Sequence, residues 1–116
     1  MRIPHLRARE EPPLPELIVI SWREIPAQVV AKAGRQAAKV QLSGRFQQAI
    51  DAAAMRAGLI GTDAYLGEWR REARACGDDL EAEAGAEAER LEADYPDARL
   101  DHLARSGGID EAEEIE

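Results

Sequence analysis

The sequence has one cysteine, two histidines and few aromatic residues, and it contains no long apolar run. Cys76 has no second cysteine with which to form a disulfide, so nothing in the sequence favours an oxidising compartment. No apolar run approaches the roughly 18 residues that a membrane span requires. Residues 1–14 mix charged residues with prolines and lack the apolar core of a secretory signal. These absences predict a cytoplasmic protein that does not associate with a membrane.

The sequence also lacks the residue patterns of catalytic and metal sites. His5 and His102 stand alone and have no metal-ligand spacing. The arginines of residues 70–74 have no Gly-rich phosphate-binding motif beside them, so we interpret them as a charged strand face. A thiolate at Cys76 is opposed by the two aspartates that follow it, and we interpret this cysteine as a small buried residue. We therefore predict no catalytic residue, no cofactor and no metal ion, and favour a non-enzymatic protein.

Charge is distributed unevenly along the 116 residues. The net charge is −8, and counting along the sequence gives +4 for residues 1–76 and −12 for residues 77–116. An acidic chain is repelled at long range by nucleic acids and by anionic membranes. The sequence therefore predicts neither nucleic acid nor a membrane as a partner, whereas the separation of charge suits docking to another protein.

The first half of the chain has the pattern of strands. Four of the six prolines lie in residues 1–15, which we expect to form a flexible arm. Residues 17–22 are β-branched and aromatic without polar alternation, which is typical of a strand buried on both faces. Residues 27–33 continue after a break at 23–26, and the two runs predict a β-hairpin. Residues 68–76 are compatible with a helix or a strand, and the glycines on both sides favour a strand.

Two longer segments have the period of amphipathic helices. In residues 42–57, apolar side chains recur at three- and four-residue steps. Ser43 can either cap this helix or lie inside one that begins near Val40. A second apolar stripe runs through residues 80–95, after two aspartates that resemble a capping box, and its other faces are rich in glutamate.

These elements predict an α+β fold in a chain that is long enough for one domain. The expected architecture is a small antiparallel sheet, made of the hairpin plus one further strand, packed against two amphipathic helices. Short helices are expected over residues 62–67 and 98–105. The domain should extend over residues 16–106, with the acidic helix near its C-terminal end, and residues 107–116 should form an acidic tail.

Three stretches resemble a family of small bacterial proteins described as virulence factors, which is related to a domain of conserved virulence factor C-type proteins. They are Ile18–Val29 (IVISWREIPAQV), Gln48–Leu59 (QAIDAAAMRAGL) and Thr62–Trp69 (TDAYLGEW), within residues 17–79. The acidic helix that follows resembles that of stand-alone alphaproteobacterial members. The resemblance implies a virulence-associated accessory role, linked to one-carbon metabolism, and it supplies no reaction, cofactor or site residue.

A mixed basic and aromatic face is the strongest candidate for a binding site. Arginine binds carboxylates and phosphates through its planar donor fork, and tryptophan can stack on a ring. The alternative is a solvated hairpin edge whose cations prevent edge-to-edge pairing or pair with the acidic helix of the same chain. We predict a module that docks another cytoplasmic protein through this face or through the acidic helix. The competing prediction is a carrier or enzyme subunit that holds an anionic metabolite near Trp22, Arg23, Lys32 and Arg35. The predicted interaction face comprises Trp22, Arg23, Gln28, Lys32, Arg35, Lys39 and Arg45.

Overall fold

The structure is a computed structural model that describes residues 14–110. Most of the predicted arm and the end of the predicted acidic tail therefore lie outside the described residues. The predicted α+β fold is confirmed. The elements, in chain order, are β1 (Glu16–Trp22), β2 (Ile25–Ala33), β3 (Gln36–Gln41), α1 (Gly44–Ala57), α2 (Asp63–Gly67), β4 (Trp69–Ala75), α3 (Leu80–Asp94) and α4 (Asp97–Arg105).

The four strands form one antiparallel sheet in the order β3-β2-β1-β4. β1 lies between two neighbours, and Leu17 and Ile18 are both buried although they point to opposite faces. The predicted hairpin is present as β1 and β2, and the segment that was ambiguous between helix and strand forms β4. Pro26 lies in β2 where the register with β1 shifts, which is a position that a strand proline tolerates.

The sheet contains one strand more than the sequence predicts, because residues 36–41 form β3. These residues are mainly alanine and glutamine, which favour a helix. Gly34 has a φ of +60° and opens a two-residue turn, so the chain folds back along β2. Val40 then pairs with Val29, and α1 begins only after Ser43, which occupies the N-cap position. Pairing with β2 outweighs the local preference for a helix.

The helices form the hydrophobic core with one face of the sheet. α3 packs on β2 and β3, and α1 packs against α4 and β2. The sheet contributes Leu17, Val29 and Ala31, which lie on the same face, while α1 contributes Phe46 and Ile50. No helix within residues 14–110 is long and apolar enough to cross a membrane.

Trp22 forms the centre of a packed corner at the β1–β2 turn. Its side chain is fully buried, and its indole Nε1 donates a 2.9 Å hydrogen bond to the backbone oxygen of Tyr65. The two rings stack with their centroids 5.5 Å apart. Gly108 lies against the indole with a φ of +89°, and a Cβ at this position would lie only 3.1 Å from Cζ3 of Trp22. The chain at residues 107–108, where the sequence places the start of a solvated tail, is buried against the domain.

Candidate functional site

Two residues of the predicted interaction face, Trp22 and Arg23, are engaged in the packed corner. The backbone of Arg23 has a φ of +52°, which is unusual for a residue other than glycine. Its Nε donates to Glu68 Oε1 at 3.2 Å, and its Nη1 donates to the backbone oxygen of Gly107 at 2.9 Å. Its guanidinium carbon lies 5.1 Å from the centroid of the Trp22 ring. Arg23 therefore joins the β1–β2 turn to the link between α2 and β4 and to the chain after α4.

Arg45, at the start of α1, is engaged with the end of α3. Its Nη2 donates to the backbone oxygen of Glu92 at 2.9 Å and to Glu92 Oε1 at 3.1 Å, and its Nη1 pairs with Asp97. The Glu92 carboxylate also accepts hydrogen bonds from the backbone N and the Oγ of Ser43, at 2.7 and 2.9 Å. Burial alone would raise the pKa of Glu92, but these hydrogen bonds outweigh it and hold the pKa below its ordinary value. Arg45 thus connects three helices, α1, α3 and α4.

The other four residues of the predicted face lie elsewhere. Gln28, Lys32 and Lys39 share the face of the sheet that is turned away from the helical core, and Arg35 lies in the β2–β3 turn. The four residues of the metabolite site that the sequence suggests therefore do not line a common concave surface. Trp22 lies in the core, Lys32 lies on the sheet, and Arg23 and Arg35 lie in two separate turns.

The sheet face turned away from the helices is here called the outer face. The outer face carries Lys32 and Lys39. The strand register adds a third cation, Arg71 of β4, which lies opposite Ile20 of β1. None of the outer-face residues belongs to the hydrophobic core that the helices form. The outer face comprises Glu16, Ile18, Ile20, Gln28, Val30, Lys32, Ala37, Lys39, Gln41, Arg71, Ala73 and Ala75.

The cations of the outer face are exposed and form no ion pair or hydrogen bond through their side chains with any residue in the range 14–110. They are Lys32, Lys39 and Arg71, and the face has one carboxylate, Glu16, so its formal charge is +2. By contrast, Arg23 and the arginines around α3 are paired with carboxylates. The outer face therefore still attracts anions from outside the molecule. On the helical side, the positive charges are largely neutralised by carboxylates of the same chain.

A second concave surface, here called the inner groove, lies on the helical side of the sheet. It exists because α3 covers β2 and β3 and leaves β1 and β4 of the same face partly uncovered. The cavity has a volume of about 450 Å³. It is lined by Leu17, Val19, Ser21, Pro26, Glu72, Arg74, Glu87, Arg90, Leu91, Asp94, Tyr95 and Arg99, and it is also bordered by Ala73 of the edge strand β4, whose register position belongs to the outer face.

Glu87 of α3 is a buried acid at one end of the inner groove, with 5% of its surface exposed. Its Oε1 accepts hydrogen bonds from Arg74 Nη2 at 2.8 Å and Arg90 Nε at 3.1 Å, and its Oε2 accepts one from Arg90 Nη2 at 2.5 Å. Burial alone would raise the pKa of Glu87, but the hydrogen bonds from Arg90 and Arg74 outweigh it and hold the pKa below its ordinary value. Arg74 therefore ties the edge strand β4 to α3.

The sequence places Glu87 among the solvated glutamates of α3, and the structure instead buries it. Glu87 stands three residues after Ala84 and four before Leu91, both of which are buried, so its position belongs to the edge of the apolar stripe. That spacing was the available signal. Helical periodicity does not indicate that Glu87 pairs with Arg74, because Arg74 belongs to β4 and the sheet brings it to Glu87.

Cys76, the free thiol after β4, is half-buried rather than buried. Burial, followed by the negative charge of Glu83, raises the pKa of the Cys76 thiol above its ordinary value. A raised pKa leaves little thiolate at neutral pH. Within the described part of the chain, no group of three or more His, Cys, Asp or Glu side chains could hold a metal ion.

We expect the alkylation of Cys76 by iodoacetamide at neutral pH to be slower in the folded protein than in the urea-unfolded chain. Glu83→Gln should increase the rate about two- to threefold, because it removes a nearby negative charge that disfavours the thiolate. Glu89→Gln removes an exposed carboxylate of the same helix and should leave the rate unchanged. Mass spectrometry of timed samples measures the rates, and equal rates for Glu83→Gln and the unmodified protein would contradict this account.

Comparison with known proteins identifies the family of the chain. No curated protein and no solved structure matches it. The sequence profile of one family, described as virulence factor, matches residues 20–104. This match begins within β1 and continues through α3 into α4, so it includes most of the outer face and most of the inner groove. Because the matched residues make up more than half of the 116-residue sequence, the chain belongs to the virulence factor family, as its resemblance predicted.

Proposed function

We propose that this member of the virulence factor family is a non-enzymatic docking module that binds an acidic surface of another protein through its outer face. One observation carries this proposal: three exposed cations without internal partners lie together on the sheet face opposite the helical core. Such charges steer and orient an oppositely charged partner.

The spacing of the cations supports a protein partner over a small metabolite. Arg71 lies on β4 and Lys39 on β3, the two edge strands of the sheet. Adjacent strands are about 4.8 Å apart, so these two positions are separated by about 14 Å across the sheet. A small anion can contact one of them at a time, whereas a protein surface that carries several carboxylates can contact all three cations.

The centre of the outer face supports the same conclusion. Ile18 and Val30 are buried there and Ile20 is half-buried, while Gln28 and Gln41 stand beside them. Ile20 keeps part of its surface accessible among hydrogen-bonding and charged side chains, and an apolar centre with a polar rim is the usual arrangement of a protein interface. Because the face has no aromatic side chain on which a base could stack, and the chain has a net charge of −8, nucleic acid is disfavoured as the partner.

The test is to reverse the charge of the outer face and compare the result with an equal reversal elsewhere. Lys32→Glu with Lys39→Glu should weaken binding of the partner at least about tenfold, because attraction becomes repulsion at two contacts. Arg56→Glu with Arg70→Glu makes the same change in net charge at exposed, unpaired arginines outside the outer face and should have little effect. The partner is recovered by capture with the tagged wild type, and its affinity for each variant is then measured at two salt concentrations.

Three outcomes would contradict the proposal. They are a wild type that recovers no stoichiometric partner, an outer-face variant that binds as tightly as the wild type, and a control variant that loses as much affinity as the outer-face variant. Circular dichroism of both variants verifies that each is folded. Binding that becomes weaker in the outer-face variant alone, and that decreases with salt, supports docking on this face.

A further inference from the structure

We infer that the inner groove is a second binding site, for an apolar α-amino acid bound as a zwitterion. This site lies on the side of the sheet opposite the outer face and does not depend on the proposed docking function. The inference rests on three features of the groove: apolar side chains in its lining, an arginine with unused donors and a carboxylate without a partner in the described part of the chain.

Part of the lining of the inner groove is apolar. Val19 of β1 is half-buried there, and Leu17 and Leu91 lie beside it. Arg74 reaches from β4 to Glu87 on α3, and both residues line the groove. A volume of about 450 Å³ is within the range of cavities that bind small organic molecules, about 300–1,000 Å³. An amino-acid side chain therefore has both space and apolar contact.

Arg74 is placed to bind the carboxylate of such a ligand. A guanidinium group has five N–H donors, and Arg74 uses Nη2 alone, toward Glu87. Glu87 already accepts three hydrogen bonds from Arg74 and Arg90, so it needs no further donor. The remaining N–H groups of Arg74 can thus form a forked pair with a carboxylate, which is the geometry that arginine favours.

Glu72 is placed to bind the ammonium group. It is exposed, lines the inner groove and pairs with no residue in the described part of the chain, including its neighbours Arg70 and Arg74. Glu72 and Arg74 are two residues apart on the same face of β4, so their Cα atoms are about 7 Å apart along the strand. The ammonium and carboxylate of one amino acid can be contacted together by two side chains at this spacing.

The alternative occupant, a simple carboxylic acid, satisfies only part of the groove. The carboxylate of such a ligand would pair with Arg74. The ligand has no cation to offset the negative charge of Glu72, which would then lie close to the ligand carboxylate. The inner groove has three lining arginines, Arg74, Arg90 and Arg99, and three lining carboxylates, Glu72, Glu87 and Asp94. Because these formal charges sum to zero, the groove suits a ligand with no net charge.

Four probes test the two charged contacts independently on the wild-type protein. They are L-phenylalanine, L-leucine, N-acetyl-L-phenylalanine, which lacks the ammonium, and L-phenylalaninamide, which lacks the carboxylate. We expect the first two to shift amide signals of β4 and α3 in NMR spectra of the ¹⁵N-labelled full chain. Each modified probe should bind at least about tenfold more weakly than L-phenylalanine, because one charge-assisted contact is lost.

Matched variants then locate the contacts. Glu72→Gln and Arg74→Lys should each weaken L-phenylalanine binding about tenfold, and Arg74→Lys retains the positive charge beside Glu87. Glu16→Gln and Arg71→Lys make the same changes on the outer face and should leave the affinity unchanged. Absence of binding of either amino acid at millimolar concentration, equal binding of the modified probes, or equal losses in the outer-face variants would overturn the assignment. These results leave docking on the outer face as a separate question, since its test uses neither Glu72 nor Arg74.

Discussion

Replacement of Trp22 by alanine should remove a large part of the stability of the domain. The side chain is fully buried, and the substitution would also remove one of the two hydrogen bonds that the backbone oxygen of Tyr65 accepts, the other coming from the backbone N of Glu68 at 3.2 Å. Truncation of a buried tryptophan costs about 3–5 kcal/mol, compared with about 5–15 kcal/mol for the whole free energy of unfolding of a typical domain. The variant should therefore unfold at a much lower urea concentration than the wild type, as measured by far-ultraviolet circular dichroism.

The matched control is Trp69→Ala, which deletes the same side chain from a half-buried position on β4. Trp69 contacts Tyr65 edge to face, with ring centroids 6.3 Å apart, and has more of its surface in water. Its replacement should cost clearly less free energy of unfolding than that of Trp22. Equal losses at the two tryptophans would show that the corner around Trp22 and Gly108 is not the centre of stability that its packing indicates.

Most of the fold could be predicted from local patterns. β1 combines β-branched residues without polar alternation, and α1 and α3 have clear helical periods bounded by Ser43 and Asp79, of which Asp79 accepts a capping hydrogen bond from the backbone N of Ala82. β3 escaped prediction because its alanines and glutamines have no strand preference of their own. Its alternation of Ala38 and Val40 toward the core with Lys39 and Gln41 toward solvent was the available signal.

The candidate sites were less predictable, because they depend on contacts distant in sequence. Arg23 and Arg45 resemble Lys32 and Lys39 in the sequence, but their carboxylate partners lie 45 and 47 residues away along the chain. Arg71 joins the outer face because β4 pairs with β1, and this pairing cannot be derived from the local sequence. The tertiary structure therefore decides which cations pair within the fold, as Arg45 does with carboxylates of two other helices, and which lie exposed on a common face, as strand pairing places Arg71.

The second large effect concerns the buried acid Glu87, and its sign depends on pH. In the wild type the pKa of Glu87 is lowered below the value near 4.3 of an unfolded chain, so its contribution to stability is present above that value and is lost as the pH falls through the folded pKa. Arg74→Ala with Arg90→Ala removes the hydrogen bonds that lower this pKa and leaves burial, which raises it. The double variant should lose about 3 kcal/mol at neutral pH, because a buried charge is left without a partner.

The pH dependence distinguishes this explanation from simple loss of arginine packing. In the double variant Glu87 becomes easier to protonate in the folded state, so the difference in free energy of unfolding from the wild type should shrink as the pH is lowered toward about 4. Adding Glu87→Leu to the double variant should restore most of the stability at neutral pH, since an apolar side chain of similar volume leaves no charge buried. Urea denaturation at both pH values measures the three proteins. A loss that is the same at both pH values, or that Glu87→Leu does not reverse, would mean that the arginines act through their packing and not through the charge of Glu87.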